Sequence, residues 1–99
     1  MQTVMIGPIK YKIVQRDELV DGNDPLIGQI DNLSGEIRVM SGLAPQIERV
    51  ALWHEIIHGI LMGAGQKHSE GIVEAVSHGL VDFLNRNDCG FLLTGEEDE

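Results

Sequence analysis

The apolar positions of this chain follow one period up to residue 40 and another from residue 46. Residues 9–16, Ile-Lys-Tyr-Lys-Ile-Val-Gln-Arg, are rich in β-branched and aromatic types and predict a strand. Asp21-Gly22-Asn23-Asp24-Pro25 is a dense turn signal. Beyond it, residues 26–31 and 36–40 flank Asn32-Leu33-Ser34-Gly35, and Ile37 and Val39 alternate with Glu36, Arg38 and Met40. Two such runs around a Gly-ended turn predict a hairpin whose second strand keeps one polar, solvated face.

Ser41-Gly42-Leu43-Ala44-Pro45 breaks this pattern, and Pro45 suits the first turn of a helix, where its missing N–H costs nothing. Ile47, Val50, Ala51, Ile57 and Leu61 recur at helical spacing, while Leu52, Trp53, Ile56 and Ile60 fill the other faces. The helix is therefore expected to be buried nearly all round, and Gly63-Ala64-Gly65 to end it. Ser69, a good N-cap followed by Glu70, opens a second helix that Ile72, Val73, Val76, Leu80, Phe83 and Leu84 carry to about Arg86. Strands first and helices after predict an α+β domain, a small antiparallel sheet of about three strands packed on two main helices.

Composition narrows the function. Ninety-nine residues have room for one modest core, so residues 1–99 are expected to form one domain, with a flexible acidic tail at about 93–99 that ends in Glu96-Glu97-Asp98-Glu99. No apolar run approaches the roughly 18–20 residues of a membrane span, and the N-terminus lacks a basic start followed by an apolar stretch, so neither a membrane role nor a secretory leader is expected. The single cysteine, Cys89, excludes an intramolecular disulfide and fits a reducing compartment such as the cytoplasm. A net charge of −9 repels phosphate backbones, which argues against a nucleic-acid partner and favours cations and basic peptide segments.

Residues 54–58 read His54-Glu55-Ile56-Ile57-His58, a His-Glu-x-x-His sequence inside the first helix. Histidines at i and i+4 share one helical face, so both imidazoles can reach one divalent ion at about 2.0–2.1 Å. Glu55 projects roughly 100° round the helix from His54, toward a water rather than the ion. Two ligands plus a general base is the logic of a metal-dependent peptidase. Burying two imidazoles and a carboxylate in so small a core is expensive unless something satisfies them.

A catalytic zinc site needs a third protein ligand and an open fourth position. The second helix offers Glu70, Glu74, His78 and Asp82 on one face. Glu74 is the expected ligand, and Glu70, at the edge of that helix, is the alternative; a solvated charged face is the plain reading of the stripe. Cys89 as a fourth ligand would instead close the site as structural zinc. Tyr11 and His68 are candidates for polarising a substrate carbonyl, with an ordinary surface role as the plainer reading. Trp53 is expected to pack in the core and form an apolar wall of the site.

The segment Val73-Glu74-Ala75-Val76-Ser77-His78 resembles the glutamate helix of gluzincins, zinc peptidases whose third ligand is a Glu. In that family an Asp commonly stands four residues after the ligand and holds a zinc-bound His; with Glu74 as ligand this chain has His78 there, a departure. The wider pattern over residues 26–87 is similar to small phage and prophage zincins grouped with ImmA/IrrE-type metallopeptidases. The resemblance implies a minimal zincin-like metalloprotease fold, bound Zn²⁺, a peptide or protein substrate and, for a phage-encoded chain, the bacterial host cytoplasm. It also implies that residues 36–40 border the cleft and pair with an extended peptide; a plain edge or the sheet interior is the other reading of that strand.

Three functions stay open on the sequence. The first is a zinc metallopeptidase with His54, His58 and Glu74 on the metal and Glu55 as general base. The second is a catalytically inactive, zincin-like, metal-stabilised protein-binding module, motivated by the small amount of chain left to close a cleft. The third is an interaction protein whose histidines are merely buried. Mn²⁺, Co²⁺ or Ni²⁺ in place of Zn²⁺ is compatible with an imidazole–carboxylate donor set.

Overall fold

A computed structural model of the protein describes residues 2–95. The chain opens with β1 (Gln2–Ile6) and β2 (Ile9–Arg16), an antiparallel hairpin in the register Gln2↔Ile13 to Ile6↔Ile9. Gly7 turns between them at φ 58°, the positive value that a two-residue hairpin loop demands. β3 (Val20–Asp21) and β4 (Asp24–Pro25) form a small separate ribbon around Gly22. β5 (Gly28–Asp31) and β6 (Glu36–Met40) form the second hairpin, Gly28↔Val39 to Asp31↔Glu36, and its turn is held by Asp31 Oδ1, which accepts from Leu33 N at 3.0 Å and Ser34 N at 3.3 Å. These amide donors hold the Asp31 carboxyl below its ordinary value.

β6 then lies beside β2 in parallel, Lys12↔Glu36 to Arg16↔Met40. The resulting sheet has the order β1-β2-β6-β5 and is mixed, with four strands rather than about three. β6 is therefore interior and β5 is the edge, which corrects the expectation that residues 36–40 border the cleft. Alternation sorts the two faces: Ile9, Tyr11, Ile13, Ile37, Val39 and Ile30 turn inward, while Arg38 on the other face binds Glu36, Gln29 and Asp31.

α1 (Pro45–Gly63) lies across the inner face against β1, β5 and β6. Ala51 joins Tyr11, Ile37 and Val39 in the core, and Leu52 and Ile56 pack on that cluster. From Val50 to Gly59 every α1 residue is buried or half-buried, as expected, but Ile47, Ile60 and Met62 near its ends are exposed. α2 (Glu70–Arg86) packs against α1 through one stripe, Val73, Ser77 and Val81, and leaves Ile72, Val76 and Phe83 about half exposed. The Ser69 hydroxyl caps it by accepting from Ile72 N at 3.2 Å. A short α3 (Gly90–Thr94) follows, so the expected tail begins inside a helical turn at residues 93–94; residues 96–99 lie outside the described residues. Among the described residues no helix is long and apolar enough to cross a membrane.

Candidate metal centre

The middle of α1 presents His54, Glu55 and His58 to a cleft of about 720 Å³ whose opposite wall is the stretch from Leu26 to Ile30 and whose rim carries Asp21, Glu70 and Glu74. The two ring nitrogens His54 Nε2 and His58 Nε2 stand 3.1 Å apart. Glu70, at the first position of α2, reaches both: Oε2 is 3.1 Å from His54 Nε2 and Oε1 is 2.8 Å from His58 Nε2. Among the described residues, His54, His58 and Glu70 form the group of ligand-type side chains whose donor atoms all lie within 4.8 Å of one another. Glu74, one turn further along α2, is placed differently. Its Oε2 is 3.2 Å from His54 Nδ1, on the outer side of the ring, and its Oε1 is 3.2 Å from His78 Nε2. The carboxylate facing both Nε2 atoms is therefore Glu70, the alternative, and not Glu74, the expected ligand.

The hydrogen-bond inventory tests whether these atoms suit a cation. A carboxylate only accepts, and a neutral imidazole has one N–H and one bare nitrogen. If His54 carries its proton on Nε2, its bare Nδ1 faces the Glu74 carboxylate; if on Nδ1, its bare Nε2 faces Glu70 and His58. Either way a lone pair meets a lone pair. A second proton on His54 would serve both of its carboxylates, but the 2.8 Å pair His58 Nε2–Glu70 Oε1 and the 2.7 Å pair His58 Nδ1–His68 Nε2 then compete for the one proton of His58, and burial pushes the His58 pKa below its ordinary value, against a second. A divalent ion, which His54, His58 and Glu70 could hold, would remove the conflict. Ligands about 2.0–2.1 Å from a tetrahedral zinc lie about 3.3–3.4 Å apart, so the observed 2.8–3.1 Å separations need only a few tenths of an ångström of opening.

Glu55 is 8% exposed, and this burial pushes its carboxyl pKa up to about 7; nearby His54 opposes the shift and Glu70 adds to it. The closeness of β5 is what seals it. A Cβ on Gly28 would stand 3.1 Å from Glu55 Oε2 and 3.2 Å from its Cγ, so a side chain there would press on the carboxylate. A carboxyl titrating near neutrality can both take and return a proton, as a general base requires.

The remaining expected site residues fall elsewhere. Tyr11 is 2% exposed in the core between sheet and helix, away from the cleft. Trp53 is half-buried outside the cleft lining, whose apolar part includes Leu26, Ile27, Ile30, Val50 and Met62. Cys89 sits in the link after α2, with its thiol against Asn87 O at 3.6 Å. His68 does not face the cleft; its Nε2 is 2.7 Å from His58 Nδ1, behind the ring. Neither that contact nor the Glu70–Glu74 division of labour is set by residue type. A pattern would have found the second: a carboxylate four residues after the ligand, which Glu70 has in Glu74 and Glu74 lacks.

No family model, curated protein or solved structure matches this chain.

Proposed function

We propose that the protein is a zinc-dependent peptidase whose metal is held by His54 Nε2, His58 Nε2 and Glu70, with Glu55 as general base. The observation that carries the reading is the convergence of His54 Nε2, His58 Nε2 and the Glu70 carboxylate beside a buried glutamate poised near neutrality. With Glu70 as ligand, the sequence also agrees better with the gluzincin pattern, because Glu74 then stands four residues on and holds the His54 ring at 3.2 Å.

Held by His54, His58 and Glu70, Zn²⁺ would supply Lewis acidity toward a water and a substrate carbonyl. Glu55 takes the proton from the attacking water and returns it to the leaving amine. β5 aligns the substrate. Met40 N bonds Ile27 O at 2.9 Å, so residues 27, 29 and 31 exchange bonds with β6 while the backbone groups of Gly28 and Ile30 point out over the cleft, open to an extended peptide. Asp21 and Glu74 at the rim favour basic side chains in that peptide. The lone cysteine fits a reducing cytoplasm. Mn²⁺, Co²⁺ and Ni²⁺ suit the same donors, and competition decides among them.

The test is elemental analysis of untagged protein and three variants, with hydrolysis of a mixed peptide library. Stoichiometric zinc is expected in the wild type and in Glu55→Gln, with hydrolysis lost only in the latter. Glu70→Ala is expected to lose the metal, whereas Glu74→Ala keeps it with affinity lowered about 10–100-fold. Metal-free wild-type protein would overturn the reading. Retained zinc with no hydrolysis in the wild type would leave the inactive, metal-stabilised binding module.

A further inference from the structure

The link between the two helices holds a chain of hydrogen bonds that ends inside the site. α1 closes with Gln66 N bonded to Leu61 O at 2.9 Å and Gly65 N to Met62 O at 3.0 Å, while Gly65 takes φ 69°. This is the Schellman arrangement, in which a left-handed residue folds the chain back onto the last carbonyls. It fixes the position of Gln66, whose own carbonyl lies 3.1 Å from His68 Nδ1.

Donor and acceptor roles then follow in order. The Gln66 carbonyl can only accept, so His68 donates from Nδ1. Neutral His68 is left with a bare Nε2, and that atom is 2.7 Å from His58 Nδ1. His58 must therefore donate from Nδ1, and its bare nitrogen is Nε2, the one that faces Glu70 and His54. His54 is oriented by an anion, Glu74, but His58 is oriented by a neutral ring anchored in the cap of its own helix.

We propose that His68 is a positioning residue that locks His58 in the tautomer whose Nε2 lone pair points into the site, and that the Gly65–Gln66 cap sets His68. Its purpose rests on the metal reading above, but the hydrogen-bond order itself does not, and the experiment separates the two. Long-range ¹H–¹⁵N correlation of metal-free protein at pH 8, where imidazoles are neutral, reads the tautomer directly. His58 is expected as Nδ1–H in the wild type and in His68→Gln, whose side-chain oxygen can accept the same bond. It is expected to shift toward the Nε2–H form in His68→Leu.

Chelator competition with Zn²⁺, and the visible spectrum of the Co²⁺ form, give the second readout. His68→Leu is expected to weaken Zn²⁺ binding about 10–100-fold and to alter the Co²⁺ spectrum, and His68→Gln to restore most of both. An Nε2–H His58 in the wild type overturns the proposal, and so does a His68→Leu protein with unchanged tautomer. Wild-type His58 in the expected tautomer, with no metal bound, upholds the hydrogen-bond order and overturns the peptidase reading instead. Should His68→Leu not fold, the wild-type tautomer and the His68→Gln affinity still decide.

Discussion

Glu55 shows how burial prepares a group for chemistry at a cost to stability. Its folded pKa of about 7 lies above the ordinary 4.5, so the folded state favours the protonated form. Below pH 4.5 the group is protonated whether the chain is folded or not, and it costs nothing. As pH rises toward 7 the unfolded chain gives up the proton while the folded chain keeps it, and stability falls. Urea denaturation of metal-free protein between pH 4.5 and 8 is expected to show the wild type losing roughly 2–3 kcal/mol relative to Glu55→Gln, with the loss complete just above pH 7. Parallel stability curves for the two proteins would show that Glu55 is solvated. The same residues mark where sequence stops being sufficient. His54, Glu55 and His58 are legible because a helix fixes their relative directions. Glu70 and Glu74 lie one turn apart on one face of α2, and the docking of α2 on α1 through Val73 and Ser77 sets which one faces the Nε2 pair; the one cue in the sequence is the carboxylate of Glu74 four residues after Glu70.

Among the elements, β5 is the one whose closeness to α1 matters most. Gly28 brings its backbone against Glu55, and Gly59 lets α1 settle where an added Cβ would stand 2.8 Å from Ile30 Cδ1. Gly28→Ala pushes on Glu55 Cγ and Oε2 by a few tenths of an ångström. Because about 1 Å of misplacement can cost a hundredfold in rate, this substitution is expected to slow hydrolysis several-fold to tenfold with zinc content unchanged. Equal loss of metal and rate would mean that the strand, not Glu55, had moved. The hairpin of β5 and β6 was legible from alternation and from Gly35, which takes φ 70° at its turn. β1 was not, because Val4, Met5 and Ile6 are consecutive apolar residues that show no alternation, and the segment gains strand character from pairing with β2. The parallel register of β2 with β6 was also invisible, since the partners lie 24 residues apart with no local signal joining them.

At the scale of the whole molecule, the net charge of −9 and the acidic cleft rim predict that hydrolysis of basic peptides weakens as salt is raised, with the effect in KM rather than in turnover. A titration from 20 to 300 mM salt with one basic and one neutral peptide would read this. An ion held by His54, His58 and Glu70 would also tie α1 to α2. Zinc at about 100 times its Kd is expected to add about 2.7 kcal/mol, or roughly 10–20 °C in Tm for a chain of this size, and a chelator to remove it. An unchanged Tm would mean that no ion bridges the helices. The parallel pair bears on how such a protein comes into being. β3, β4 and β5 lie within the loop that β2 and β6 close, and Glu70 comes later still. On the ribosome the cleft wall is made first, then the strand that fastens it, then the histidines, and their carboxylate only at the start of the next helix. Truncations that spare every donor atom but remove β2 are therefore expected to be inert, and the working unit to be no shorter than the span from β2 through α2.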